Sequence, residues 1–410
     1  MDVHAEPLET LRTRTSEKWT AYSPDVLPLF VAEMDYPLAG PIADALVAAV
    51  RRSDTGYAGT APSPLAPAFA AFASDRWGWQ VDADQVSTTT DVSVVIVESL
   101  RRMIEPGDGV IVMPPIYPPF FDLPVEAGGR VVEVPLIAPD AAGRDARDAG
   151  DAAGRGARDA RNGGDTAAWT MDLDGIDRAL ASGQARAVLL CNPHNPLGLV
   201  HTAEQLATLA EIVDRHGAVV VSDEIHAPLT HSDAVFTPYL TVSDAASDHA
   251  IAAHSASKAW NLAGLKCAMF VTAGDRMARL VAGLPEEVRF RTSLIGRIAN
   301  AVAFSDGRGW LDAALGSIQD NRRLLTRLLA EHIPGAEYRE PAASYLAWID
   351  LRALGWGDDP AAVALDRAHV ALSNGPAFGT EGRGFVRLNF ACSPEVLTEA
   401  ITRIAAARRN

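Results

Sequence analysis

A chain of 410 residues, 48% hydrophobic and 21% charged, is long enough for two domains and a large core and has the composition of an ordinary globular protein. Its formal net charge of -16 argues against nucleic acid or an anionic membrane surface as partner, since both select basic faces, and it requires any anionic ligand to be held by local positive groups. Three widely spaced cysteines, Cys191, Cys267 and Cys392, suit a reducing cytoplasm better than a disulfide framework or a metal cluster, with burial as filler the expectation for each.

Met1 to Glu17 is polar and lacks the apolar core of a signal peptide. No stretch approaches the roughly 20 apolar residues that span a bilayer. Thr90-Asp91-Val92-Ser93 precedes an apolar helical run from Val94 to Leu100, so the backbone N–H groups and the Ser93 hydroxyl there suit a phosphate at a helix start. Asp91 works against this unless its carboxylate points away. Pro106-Gly107-Asp108-Gly109 is a turn into a short buried strand at Val110 to Met113. Tyr117 follows at the end of that strand, either as a ring that stacks on a ligand or as a core aromatic. From about Pro139 to Thr166 the chain is built almost entirely of Ala, Gly, Asp, Arg and Asn. Such a stretch cannot bury enough apolar surface to offset the cost of ordering it, which predicts a disordered surface insertion; a regulatory role is the alternative.

Two apolar runs, Ala187 to Cys191 and Ala218 to Val221, enclose a helix with Leu206, Leu209, Ala210 and Val213 on one face. Thr202 and Gln205 fit a capping box at its start, and Gly217 fits a left-handed cap residue past its end. Strand, helix and strand with continuous apolar strands predict a parallel unit buried on both faces, in which ligands gather at the carboxyl ends of the strands. Asn192-Pro193-His194-Asn195-Pro196-Leu197-Gly198 and Ser222-Asp223-Glu224-Ile225-His226 both fall there. Beyond about Phe290 the pattern is helix-rich, then a strand at Tyr345 to Asp350, the strand-like Phe385-Val386-Arg387-Leu388-Asn389, and a final helix.

Lys258 stands in His254-Ser255-Ala256-Ser257-Lys258-Ala259-Trp260-Asn261. A lysine binds an aldehyde covalently when its surroundings lower its pKa. A solvated surface lysine is the commoner case, but the hydroxyls of Ser255 and Ser257 beside it suit a cofactor phosphate. Asp223 at a strand end can pair with a protonated pyridine nitrogen; a capping or salt-bridged Asp is the alternative. Asn195 and His226 are placed to reach a phenolic oxygen on the ring, although a histidine is more often structural. Arg387 offers the bidentate fork that an α-carboxylate needs, or a structural ion pair. Amide, carboxylate, amine and guanidinium together can hold a pyridine aldehyde and an amino acid side by side. The chemistry this points to is that of pyridoxal phosphate.

These motifs resemble the fold-type I pyridoxal phosphate enzymes, the aspartate aminotransferase superfamily, and within class I/II the carbon–sulfur β-lyases of the cystathionine β-lyase type. The narrower likeness rests on Lys18-Trp19, Leu27 to Tyr36, Gly56-Tyr57, Ser344 to Trp348 and Glu381 to Asn389. It covers nearly the whole chain apart from the low-complexity insertion. The resemblance implies an α/β fold: a large domain (45–290) with a mostly parallel seven-stranded sheet flanked by helices, a smaller α+β C-terminal domain (291–410), and an N-terminal segment (1–44) packed on the latter. It implies Lys258 as the residue that carries the coenzyme, Asp223 as the pyridinium partner, Asn195 and His226 as phenolate contacts, and Tyr117 as the stacking ring. The phosphate contacts it implies are Ser255, Ser257, the Asp91-Val92-Ser93 turn and Lys266, with Tyr57 reaching the phosphate of a neighbouring subunit in a homodimer. Arg387, Asp35 and Tyr36 are the implied substrate contacts. Asp91 departs from the small residue usual at its position. The activity implied is β-elimination of cystathionine or another S-substituted L-cysteine to a thiol, pyruvate and ammonia in the cytoplasm. An aminotransferase would use the same residues. A non-catalytic coenzyme-binding regulator is a third reading; it needs a DNA-binding module, for which motifs beginning at Lys18 leave little chain.

Overall fold

The computed structural model describes residues 2–59, 63–139 and 168–408. The stretch expected as a disordered insertion lies outside them, Pro139 apart. Among the described residues the main sheet has seven strands, in the order Val86–Thr89, Ala268–Val271, Ala250–His254, Val219–Asp223, Ala187–Cys191, Gly109–Val112 and Arg130–Glu133. Ala268–Val271 runs antiparallel to both neighbours and the other pairings are parallel. The three central strands are buried at every residue, and alternation explains why. Val188, Leu190 and Val220 enter one apolar cluster with residues of the helices Leu65–Trp77, Ala203–Arg215 and Leu294–Phe304. Ala187, Leu189, Val219 and Val221 enter the other, with Val92–Met103 and Asp275–Ala282. Both faces are covered, so the strands read as unbroken apolar runs.

The expected strand–helix–strand unit is present as Ala187–Cys191, Ala203–Arg215 and Val219–Asp223, its strands paired in parallel. Thr202 and Gln205 form the reciprocal capping box, and Gly217 has φ +60° past the helix end. The strand expected at Val110 to Met113 begins earlier, at Gly109. A Cβ there would come within 2.0 Å of the Gln184 carbonyl, so this glycine belongs to the strand and not to the turn before it.

A second sheet of four strands orders Ser373–Asn374, Phe385–Asn389, Leu346–Asp350 and Glu337–Tyr338, all antiparallel. The helices Arg308–His332 and Pro394–Ala407 supply its apolar cover, with Leu325, Leu329, Leu397 and Ile401 in the same cluster as Ala347, Ile349 and Leu388. The N-terminal stretch joins this part of the molecule: Leu27–Pro28 pairs in parallel with Val370–Ala371, and the Asn389 N–H donates to the Leu29 carbonyl at 2.9 Å. Register fixes where the chemistry falls. Cys191 stands opposite Asp223 and Asp223 opposite Ala253, so the Asn192 loop, Asp223 and the Ser255 loop leave the sheet at one edge.

Candidate active site

Asp223 ends its strand and is buried; its Oδ1 accepts a hydrogen bond from the Ile225 N–H at 3.1 Å. Burial pushes its carboxyl up to about 7, against the pull of nearby Lys258. A carboxylate this poorly compensated calls for a cation. Lys258 is half-buried, and its Nζ donates to the Ala32 carbonyl at 3.3 Å. Burial and the charge of Arg387 bring its amine down to about 8, while Asp223 works the other way.

Arg387 lies mid-strand in Phe385–Asn389, close enough for its charge to act on Lys258, and is 6% exposed. Its Nη1 donates to Asn195 Oδ1 at 3.0 Å and its Nη2 to the Phe30 carbonyl and to Ser373 Oγ, each at 3.0 Å. The guanidinium stacks over the Phe378 ring at 5.0 Å. Burial lowers its pKa to about 10, so it stays charged at neutral pH, and its buried Nε has no partner. Asn195 is tied on both sides: its N–H donates to Cys191 Sγ at 3.4 Å and its carbonyl accepts from the Tyr117 N–H at 3.0 Å. His226 is buried with Nδ1 unpaired, and burial brings it down to about 3, so the ring is neutral. Burial raises the Tyr117 phenol above its ordinary value.

A second corner holds hydroxyls and a helix start. Ser255 Oγ lies 2.7 Å from Ser257 Oγ and 2.7 Å from the Cys267 carbonyl. The helix Val92–Met103 begins beside them with Asp91 as its N-cap, Oδ1 accepting from the Val94 N–H at 3.1 Å. The carboxylate therefore lies over the start of its own helix and does not point away from it. The N–H groups of Val92 and Ser93 open that helix and have no intrahelical acceptor. Lys266, exposed, sits with Nζ 3.4 Å from Asp91 Oδ2. Tyr57 is 87% exposed and meets Phe290 edge-on.

Two of the expected substrate contacts are buried. Asp35 is 1% exposed and pairs with buried Lys18 at 2.5 Å; Tyr36 is 2% exposed within the apolar core. The buried ammonium of Lys18 requires a carboxylate within reach, and Asp35 supplies it. The part of this segment that faces Lys258 is the Ala32 carbonyl, which also accepts from Tyr345 Oη at 3.1 Å. Residue-type reasoning had no signal for a main-chain carbonyl. It also missed Ser373, which donates to the Phe30 carbonyl at 2.6 Å while accepting from Arg387. Tyr345 was visible only as a strand residue. All three cysteines are buried, as expected. Among the described residues no cluster of three or more His, Cys, Asp or Glu could hold a metal, and no helix is long and apolar enough to cross a membrane.

The family model of aminotransferase class I and II matches residues 24–404. A protein of Mycobacterium leprae, named provisionally as a cystathionine β-lyase, is 43% identical over 98% of this chain and 97% of its own length. The cystathionine β-lyase of Corynebacterium glutamicum is 32% identical over 97% of this chain and 98% of its own. Among solved structures, a Corynebacterium diphtheriae protein provisionally named as a PLP-dependent β-cystathionase superposes with a TM-score of 0.88 at 33% identity, over 100% of this chain and 99% of that one. The fold is therefore that of the fold-type I aminotransferases, and the chain belongs to the aminotransferase class I and II family.

Proposed function

We propose that this chain is a pyridoxal phosphate-dependent carbon–sulfur β-lyase that cleaves cystathionine or a similar S-substituted L-cysteine to a thiol, pyruvate and ammonia. The supporting observation is a set of unmet needs at one edge of the sheet. Among the described residues, the buried Asp223 carboxylate makes no ion pair, the lysine of lowered pKa donates to a carbonyl, and His226 Nδ1 and Arg387 Nε have no partners. Two hydroxyls and a helix start lie alongside. These are the complements of a pyridinium, an aldehyde, a phenolic oxygen and a phosphate, so the residues fit the coenzyme. The relatives named for cystathionine cleavage support the reaction over others in the family.

Bound there, the coenzyme supplies an aldehyde for the substrate's amine and a cationic ring that accepts the electron pair released at the α-carbon. Lys258 would hold the aldehyde, and its Nζ would be the group that takes the α-proton; burial brings this amine down to about 8, which favours its neutral form. The Ala32 carbonyl receives the ammonium that results. Asp223 would keep the ring nitrogen protonated, Asn195 and His226 would hold the phenolic oxygen, and Tyr117 would offer a ring to stack on. Arg387, preset by Phe30, Ser373, Phe378 and Asn195, grips the α-carboxylate. Ser93, Ser255, Ser257 and the Val92 N–H take the phosphate. Tyr57 reaches the phosphate of a second copy in a cytoplasmic homodimer, and the chain divides at about residues 44 and 290.

The test is incubation with cystathionine without any keto acid. Pyruvate and free thiol should appear in equal amounts, and Lys258→Ala should abolish both. Turnover that depends on an added keto acid and releases no thiol would instead mark an aminotransferase.

A further inference from the structure

Lys266 and Asp91 meet because of sheet register. Val86–Thr89 and Ala268–Val271 pair antiparallel with Thr89 opposite Ala268, so the chain leaving one strand and the chain entering the other share a corner. Lys266 holds that corner with φ +56°, its Nζ 3.4 Å from Asp91 Oδ2. Asp91 spends its other oxygen on the Val94 N–H. The neighbouring Cys267 accepts from Ser255 Oγ, which contacts Ser257 Oγ. The ion pair therefore adjoins the helix start through Asp91, and the residue after Lys266 adjoins the paired hydroxyls, in the corner that the coenzyme reading gives to the phosphate.

Resting on that reading, we propose that Asp91 sets coenzyme affinity by opposing the phosphate. The helix start and Lys266 both favour a dianion. Asp91 engages both: it occupies one donor of the first turn and the lysine's charge, and it adds a negative charge of its own beside the incoming one. The pair is partly exposed, with side chains 58% and 38% accessible, so solvent weakens the opposition without removing it. The cup thus holds the phosphate less firmly than its hydroxyls and helix start allow, and exchange of bound for free coenzyme is correspondingly easier.

Asp91→Asn isolates the effect, since asparagine caps a helix as well as aspartate and only the charge is lost. Coenzyme-free wild type, Asp91→Asn and Lys266→Met are titrated with pyridoxal phosphate, reading visible absorbance, and in parallel with unphosphorylated pyridoxal. Asp91→Asn should tighten pyridoxal phosphate roughly threefold to tenfold at low salt, a gain that shrinks as salt rises, while Lys266→Met weakens it by a similar factor. Pyridoxal should bind the wild type and Asp91→Asn alike. Unchanged or weaker pyridoxal phosphate binding by Asp91→Asn, or an equal gain for pyridoxal, overturns the inference while a coloured wild type keeps the coenzyme reading. A wild type that stays colourless at every concentration sinks both.

Discussion

Asp223 costs the coenzyme-free protein stability at neutral pH, because it is buried with one hydrogen bond to satisfy it. Its folded pKa, about 7, lies above the ordinary value of 3.8. Between those values the folded chain binds the extra proton, so this group's contribution to stability falls as pH rises through the window. Asp223→Asn should therefore stabilise the coenzyme-free chain above pH 7, by about 4 kcal/mol at most, and nearly abolish turnover. Urea melts at pH 8 check the first half; equal midpoints for variant and wild type would refute it. Tyr345 bears on Lys258 through the carbonyl they share. Tyr345→Phe leaves the Ala32 carbonyl to the lysine alone, which should favour the ammonium and shift the acidic limb of the kcat profile to higher pH. An unshifted profile would leave Tyr345 a packing residue.

The elements that could be read from local pattern are those whose stability is local. The Ala203–Arg215 helix carries its stripe, box and stop signal within its own residues. Replacing Thr202 by Ala removes a cap and should lower stability by about 1 kcal/mol, measured as a shift in urea midpoint with unchanged slope. Leu27–Pro28, Glu337–Tyr338 and Ser373–Asn374 left no local mark. Strands of two residues exist only because partners far along the chain present free main-chain groups: Leu27 pairs with Val370, and Ser373 with Arg387. These short strands nonetheless carry Phe30 and Ser373 to the guanidinium.

At the scale of the molecule, burial leaves five histidines neutral among the described residues. His194 and His226 fall to about 3, and His201, His231 and His249 to about 4, each lowered chiefly by desolvation. Unfolded, each titrates near 6.5, so below that pH the unfolded chain takes up protons that the folded one refuses. Stability should be whole above about pH 6.5 and fall steeply toward pH 4, with Asp223 opposing only in part. Denaturation midpoints that stay level between pH 7 and 5 would contradict this.

What residue order determined alone is the local layer: buried central strands, the helix caps, and the candidacy of Lys258, Asp223, Asn195 and Arg387, whose chemistry lies in their own side chains; Asp223 ends an apolar strand, and Asn195 follows another. Only the tertiary structure decided the rest. Asp35 meets its partner Lys18 only through the fold. The Ala32 carbonyl became a ligand for Lys258, and Asp91 met Lys266, through contacts between residues more than a hundred positions apart. Main-chain groups carry no residue signature, and a charge's role depends on which other charge the fold brings near it.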